Sequence, residues 1–394
     1  MITHQEAITI INNSVKANSA NSLPIAKALD YSLAENVIST VHSPAFTQSA
    51  MDGFAYNHSS KSLVLETGDI PAGIAKKIIL KKGKAIRIYT GAMLPAGADT
   101  VVPQEFVEIK NGEITFNKSL FAKGANVRMK GSHFEKGEVL LPKGVLLNAL
   151  HLSLAASGGI SEVKVYKKAK VSIIVSGNEL IAPGKKLKDG QVYESNAIML
   201  QLLLQQAKYE VVHVKHCKDD LKAMEKTLLK ISANSDVILF SGGISVGKYD
   251  FTSQLFSSLN VKKLFYKIAQ KPGKPLFLGK SNKKFFFGLP GNPAAAYTCF
   301  NEYVLPLLQK LSGETESKSS FKAILTNDFK KKKGLTHFLK AKFSDGKVEV
   351  LANQESYKIT AFNEANCLII VPQEIENLKK GDTVTCRKLV HNMI

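Results

Sequence analysis

A chain of 394 residues with 44% hydrophobic and 22% charged content has material for two or three domains with ordinary cores. No run approaches the roughly 18 apolar residues of a membrane span, so no membrane partner is expected. The net charge of +20 makes a field that attracts anions, but the lysines are scattered, with one dense run at residues 330–333, and no zinc finger, RNP pattern or interleaved aromatics accompany them, so specific nucleic-acid binding is not expected and the run reads as a solvated surface.

The N-terminus, MITHQEAITIINNSVKAN, has no cationic segment before an apolar block, and no signal peptide is expected. Ala7, Ile8, Ile11 and Val15 suit one face of an amphipathic helix, and residues 1–40 read as helical. From about 45 to 145, LVLETGDIPAG, KAIRIYTGAMLPAGADTVVPQEFVEI, GEITF and GEVLLPKG are short runs broken by Gly and Pro, which predicts a small β module. LLNALHLSLAASGGI at 146–160 returns to a helical pattern with a stop at Gly158-Gly159, so the β module reads as an insertion. Between 168 and 312 strands and helices alternate: KVSIIVS, a helix at 195–208, a strand at 209–215, a helix at 219–233, DVILF at 236–240, and a strand at 285–287 before another helix. Fully apolar strands alternating with helices predict a parallel sheet covered on both faces. Residues 320–394 read as a separate β domain with turns at Asp345-Gly346 and Gly381-Asp382. The fold class expected is thus multidomain α/β. The divisions are an elongated helical segment (1–44 with 140–167), a β module (45–139), an α/β domain (168–315) and a C-terminal β domain (320–394).

In an open α/β sheet, ligands sit beyond the carboxyl ends of the strands. Three loops leave such ends: Ser176-Gly177-Asn178-Glu179-Leu180, Ser241-Gly242-Gly243-Ile244-Ser245-Val246-Gly247, and Gly288-Leu289-Pro290-Gly291-Asn292-Pro293. Glycines let backbone N–H groups approach an anion, and hydroxyls and helix N-termini add donors, so a phosphorylated ligand is expected. Glu179, Asp219, Asp220 and Asp250 gather at the same edge. Carboxylates beside a phosphate site need a cation between them, and Mg²⁺ is the usual one; one of Asp219 and Asp220 is expected only to cap a helix. The basic counterpart is Tyr266-Lys267-Ile268-Ala269-Gln270-Lys271-Pro272-Gly273-Lys274-Pro275, where Lys267 and Lys271 share a face if the chain is extended. His213 and His216, three apart on an expected strand, point to opposite faces and do not suit a metal. Cys217, Cys299, Cys367 and Cys386 are far apart, which argues against a disulfide framework and fits a reducing cytoplasm.

SAMDGFA (49–55), TGAMLPAGAD (90–99), VSGNEL (175–180), SGGISVGKYD (241–250), KPGKP (271–275) and GLPGNPAAA (288–296) together resemble the MoeA family of molybdopterin molybdenumtransferases, which is similar to the E domain of gephyrin. The resemblance covers essentially the whole chain in order. It implies a four-domain, cytoplasmic homodimer with the active site between protomers. The implied reaction is Mg²⁺-assisted insertion of molybdate into adenylylated molybdopterin with release of AMP, with contact to the companion adenylyltransferase as a further possibility.

By position the resemblance places functional carboxylates at Asp52, Glu179, Asp219 and Asp250, with Glu179 and Asp250 holding the metal. It places a threonine at Thr90, a basic cluster at Lys267, Lys271 and Lys274, paired prolines at Pro290 and Pro293, and a serine at Ser356. Ser176, Gly177, Ser241, Gly242, Gly243, Ser245, Gly247, Gly291 and Asn292 are the corresponding substrate contacts. Two positions depart from the family pattern. Asn178 stands where an aspartate is usual, and Lys340 keeps a cation, but no bidentate fork, where an arginine is usual, and is expected to contact substrate. The adenylyltransferase itself shares only the α/β domain, and a basic scaffold or nucleic-acid-binding protein is the reading from another class.

Overall fold

A strand buried on both faces must be apolar at successive positions, and Lys170–Ser176, buried from Val171 onward, meets that condition. The computed structural model describes residues 1–74, 78–218, 220–242, 255, 260–314 and 320–389. In it this strand, β1, lies in a six-stranded sheet with β2 (Glu210–Cys217), β3 (Val237–Ser241), β4 (Lys262–Tyr266), β5 (Phe277–Ser281) and β6 (Lys284–Leu289), in the order β2-β1-β3-β6-β5-β4. β1 pairs in parallel with β2 and β3, and β3 with β6. β5, however, runs antiparallel to both β6 and β4. The sheet is therefore mixed, which corrects the expectation of a parallel one. The cause is local: only Asn282-Lys283 joins β5 to β6, and two residues turn a hairpin but cannot make a crossover. Asn282 takes the left-handed conformation such a turn needs, at φ 53°.

Alternation along these strands divides the core between two faces. Val171, Ile173 and Val175 of β1, Val237 and Leu239 of β3, and Phe285 and Phe287 of β6 pack on one side with Leu200, Leu203 and Leu204 of the helix Asn196–Gln206. Ile174, Ile238, Phe240 and Phe286 point the other way, onto Met224, Leu228 and Ile231 of the helix Leu221–Ser232. The N-terminal helix His4–Ser14, opened by a Thr3–Glu6 capping box, puts Ala7 and Ile11 into the first of these clusters, joined by Val15 just past its end. It thus shares the α/β core, where the sequence pointed to a segment shared with 140–167. The helix is also shorter than expected, with residues 20–40 forming short strands and a 3₁₀ turn. Asn18, Ser19, Asn21 and Ser22 are weak helix formers and Pro24 removes a donor, so no helix resumes beyond Ser14 in this stretch.

The C-terminal residues form a closed barrel of Thr336–Ser344, Lys347–Val350, Ser320–Leu325, Thr383–Lys388 and Cys367–Val371, sealed by pairing of the first with the last. The two-residue strand Gln270–Lys271 adds to its edge, parallel to Thr336 and His337. Barrel, α/β domain and N-terminal helix belong to one compact unit, residues 1–21, 30–34 and 165–394. The second unit, residues 22–29 and 35–164, is built on a six-stranded sheet. Its strands run Thr100–Pro103, Gly53–Tyr56, Lys84–Ile88, Leu63–Ile70, Glu113–Thr115 and Glu108–Lys110. Its helix Ala149–Ser157 starts at an Asn148 cap and ends at Gly158. Among the described residues no helix is long and apolar enough to cross a membrane.

Candidate active site

The strand order reverses between β1 and β3, the place where an α/β sheet opens a crevice at its carboxyl edge. Register fixes what stands there: Val175 is opposite Ser241, and Ser241 opposite Leu289, so the loops after β1, β3 and β6 leave from adjacent strand ends. Gly242 is demanded by this closeness. It has φ +94°, and a Cβ there would sit 2.2 Å from the Ser176 carbonyl oxygen. Asn196 ties two of the loops together, its Nδ2 donating to Ser241 Oγ and to the Gly291 carbonyl, both at 2.8 Å. The Ser176 hydroxyl is buried and has no hydrogen-bond partner among the described residues.

Two adjoining cavities open on this edge. One, of about 410 Å³, is bounded by Ser176, Glu179, Ser241, Gly242, Asn196 and Pro293 among others. The other, of about 580 Å³, is bounded by Glu179, Gly242, Lys271, Lys274, Pro290 and Ser356 among others. Glu179, Gly242, Gly291 and Asn292 line both. The barrel reaches the second cavity through Ser356, whose hydroxyl accepts from Asn292 Nδ2 at 2.9 Å. Lys271 and Lys274 are exposed into it, while Pro272 and Gly273 between them are buried. The buried Gln270 holds that turn: its Nε2 donates to the carbonyls of Pro272 and Gly273 at 3.1 and 3.2 Å, and its Oε1 accepts from the Tyr303 hydroxyl. A phosphate-suited edge thus meets a lysine wall across one carboxylate.

Family models match the chain from end to end: the MoeA N-terminal region (domain I and II) over residues 2–159, a probable molybdopterin binding domain over 172–310, and the MoeA C-terminal region (domain IV) over 322–389. A molybdopterin molybdenumtransferase of Haemophilus influenzae is 37% identical over 380 residues, 94% of each chain. The chain belongs to the MoeA family of molybdopterin molybdenumtransferases. A Staphylococcus aureus molybdopterin molybdenumtransferase is 32% identical over 96% of this chain and 94% of its own. Among solved structures, a MoeA protein from Pyrococcus horikoshii OT3 superposes with a TM-score of 0.84 at 27% identity, covering 98% of this chain and 100% of that one.

Several MoeA positions singled out in the sequence do not line the two cavities. Gly177 adjoins them, with the Glu179 carboxylate 2.9 Å from where its Cβ would be. Lys267, at φ 65°, places its ammonium 5.1 Å from the centre of the Tyr266 ring and lines neither cavity. Lys340 does not face substrate space: it is 3% exposed, and its Nζ donates to the carbonyls of Asn353, Glu355 and Lys358 at 2.6, 3.1 and 3.0 Å. Burial lowers its pKa. Its effect on the site is indirect, through the loop that carries Ser356. Asp220 caps the helix Leu221–Ser232 by accepting from Ala223 N at 2.7 Å. Asp219, Gly243, Ser245, Gly247 and Asp250 lie outside the described residues.

In the other unit, Thr90 donates to Asp52 Oδ1 twice, from its backbone N at 2.7 Å and its hydroxyl at 2.8 Å. Those bonds hold the Asp52 carboxyl below the usual carboxylate range. Asn196 and Gln270, which brace the loops of the candidate site, are positions that sequence reading missed. An amide at the start of an expected helix, and one between two candidate lysines, were the signals available.

Proposed function

We propose that the two cavities together hold adenylylated molybdopterin and molybdate, with the phosphates on the sheet edge and the oxyanion against the lysines. The observation that carries this reading is Glu179, the carboxylate that lines both cavities. Ser176 and the backbone at Gly242 would bind phosphate oxygens, with Asn196 holding the Ser241 and Gly291 loops at fixed separation. Lys271 and Lys274 would neutralise molybdate and the charge that develops as the phosphoanhydride P–O bond breaks and AMP leaves. Their turn is pre-set by Gln270, so little reorganisation is needed when the charge appears.

Mg²⁺ fits the donor chemistry here, since it takes one or two carboxylates with substrate phosphate oxygens and keeps its waters. Glu179 would hold it, with Asp250 as the second carboxylate, and when bound it would offset phosphate charge. Among the described residues no cluster of three or more His, Cys, Asp or Glu forms an all-protein metal cage, and none is needed for such a site. Asp52, fixed by Thr90, is read as the contribution of the second protomer of a cytoplasmic homodimer. Matching family regions on both sides of the α/β domain favour this reading over the companion adenylyltransferase, which requires that domain alone.

The test is AMP release from adenylylated molybdopterin by purified protein with molybdate and Mg²⁺. Glu179→Gln is expected to lower the rate by roughly 10²–10³-fold at unchanged stability. AMP release that is equally fast without molybdate, or that survives the substitution, rules the reading out.

A further inference from the structure

The lysine run at 330–333 borders a third cavity, of about 670 Å³, that the reaction above leaves unused. Its charged walls are Lys271, Lys330, Lys331, Lys332 and Lys333, joined by His337; Glu376 is a carboxylate in the lining, and Glu374 also acts on Lys331. The run is held in place by the barrel. Lys330 belongs to a two-residue strand paired with Asn377, and the Lys331 backbone N donates to Glu376 O at 2.8 Å. Lys331 itself is buried, with its Nζ committed to the carbonyls of Leu335 and Gln373 at 3.0 and 3.3 Å. Lys330, Lys332 and Lys333 are exposed, and no carboxylate lies within ion-pair distance of them or of Lys271 among the described residues.

A solvated lysine face spreads its charge over convex surface. Here the charge lines a concavity whose remaining walls include Phe329, Phe338 and Leu339, and low-dielectric walls focus such a field. His337 stands among these charges: burial first, then Lys331 and Lys271 beside it, push its imidazole down to about 4. It is therefore neutral near pH 7 and can offer an N–H to an anion. Lys271, Pro272 and Leu335 line this cavity and the 580 Å³ one alike, so the two are neighbours across Lys271. The Gln270–Lys271 strand paired to Thr336 and His337 makes that arrangement.

We propose that this cavity is a second oxyanion site, which binds a divalent tetrahedral oxyanion between Lys332, Lys333 and His337 and supplies it over Lys271 to the first. In the reaction proposed above, on which this role rests, the oxyanion is molybdate. The occupant is small and doubly charged, since exposed lysines line one concavity beside the site proposed to receive such an ion.

Calorimetric titration of the full chain with sodium molybdate, with sodium sulfate and sodium phosphate in parallel, tests it. Wild type should take two molybdate ions per chain. Lys332→Ala/Lys333→Ala should take one, and Lys332→Arg/Lys333→Arg should recover the second. Sulfate and phosphate competing at the second site show that it selects charge and shape; molybdate binding there unopposed shows that it selects the metal oxyanion, and either agrees with the proposal. In turnover the double alanine variant should raise the molybdate KM by about tenfold and leave kcat at saturation unchanged. One molybdate per chain in wild type, or two in the double alanine variant, overturns the proposal. So does retention of a long nucleic-acid polyanion through these lysines with no second oxyanion bound. If AMP release fails in every form while the second molybdate is still lost with the lysines, the cavity stands and the catalytic reading falls.

Discussion

The carboxyl edge of the α/β sheet and the wall of the C-terminal barrel both present lysines near one loop, and they use them in opposite ways. Lys340, on the barrel strand Thr336–Ser344, gives its three N–H donors to three backbone carbonyls and is nearly inaccessible. Lys271 and Lys274 flank a buried Pro-Gly turn and keep their ammonium groups exposed in a cavity. Desolvation explains the split. An ammonium inside a fold must spend its donors internally, because each one left unpaired is costly, whereas at a cavity wall water satisfies them until a ligand arrives. The backbone around each is correspondingly built: Lys340 organises its loop, while Gln270 and Tyr303 organise the loop of Lys271.

The largest effect expected is on the sheet edge itself. Gly242→Ala puts a Cβ against the Ser176 carbonyl in a left-handed backbone, so the β1 and β3 loops must separate. A loss of about 4 kcal/mol in urea unfolding of the α/β domain is expected, with AMP release abolished. An unchanged unfolding midpoint would show that the two loops are not packed as described. Next, Lys340→Met should cost about 3 kcal/mol by orphaning three carbonyls, and Lys340→Arg should recover little, because a planar guanidinium does not point at all three. Lys271→Met is the mirror experiment: molybdate affinity should fall while the unfolding curve stays put. If both substitutions act on stability alone, the contrast between the two regions is lost.

How far this was legible follows from where the information lies. The continuous apolar runs of β1 and β3 are local signals, and strand and buried face agree with the sequence. The β4 and β5 strands were missed because Lys262, Lys263 and Lys280 at their edges look like surface, and Asn282-Lys283 was not taken as a hairpin turn. Asn196 and Gln270 escaped notice for another reason. Asn196 reaches across the sheet edge to Ser241 and Gly291, and Gln270 joins a turn to Tyr303 on a different helix, so their partners are defined only by the fold. The same holds for Lys340 and for the lysine run at 330–333. Composition reads the run as solvated, and only the pairing of Gln270–Lys271 with the barrel edge shows it facing a cavity.

A smaller effect separates the barrel wall from the sheet edge by pH. The His337 pKa in the folded chain is about 4, below the 6.5 of an ordinary imidazole. As pH falls through 6.5 the unfolded chain takes up a proton that the folded one refuses, so stability declines from about pH 6.5 to about pH 4 and then levels. After allowance for water at the cavity mouth the loss is roughly 2 kcal/mol. His337→Gln should remove that slope from the stability–pH curve and leave the sheet-edge unfolding unaffected. A slope that persists in the variant would place the acid sensitivity elsewhere.

The smallest effect concerns Asp52, which is exposed and owes its lowered pKa first to the Thr90 N–H and then to the Thr90 hydroxyl. Thr90→Val removes the second bond and keeps the first, so the carboxyl should titrate higher, part of the way back to the usual carboxylate range, as read by NMR. A depressed carboxylate pKa contributes stability above its unfolded value that is lost as pH falls through the folded one. At neutral pH the ionised form persists in both proteins, and little change in stability is expected there. The informative quantity is the acid limb of AMP release. If ionised Asp52 takes part in the reaction, that limb should move to higher pH in Thr90→Val with the same neutral plateau, and Thr90→Ser should leave it in place. An NMR titration that shifts while the acid limb does not would remove Asp52 from the reaction and leave it as a brace for the Thr90 turn.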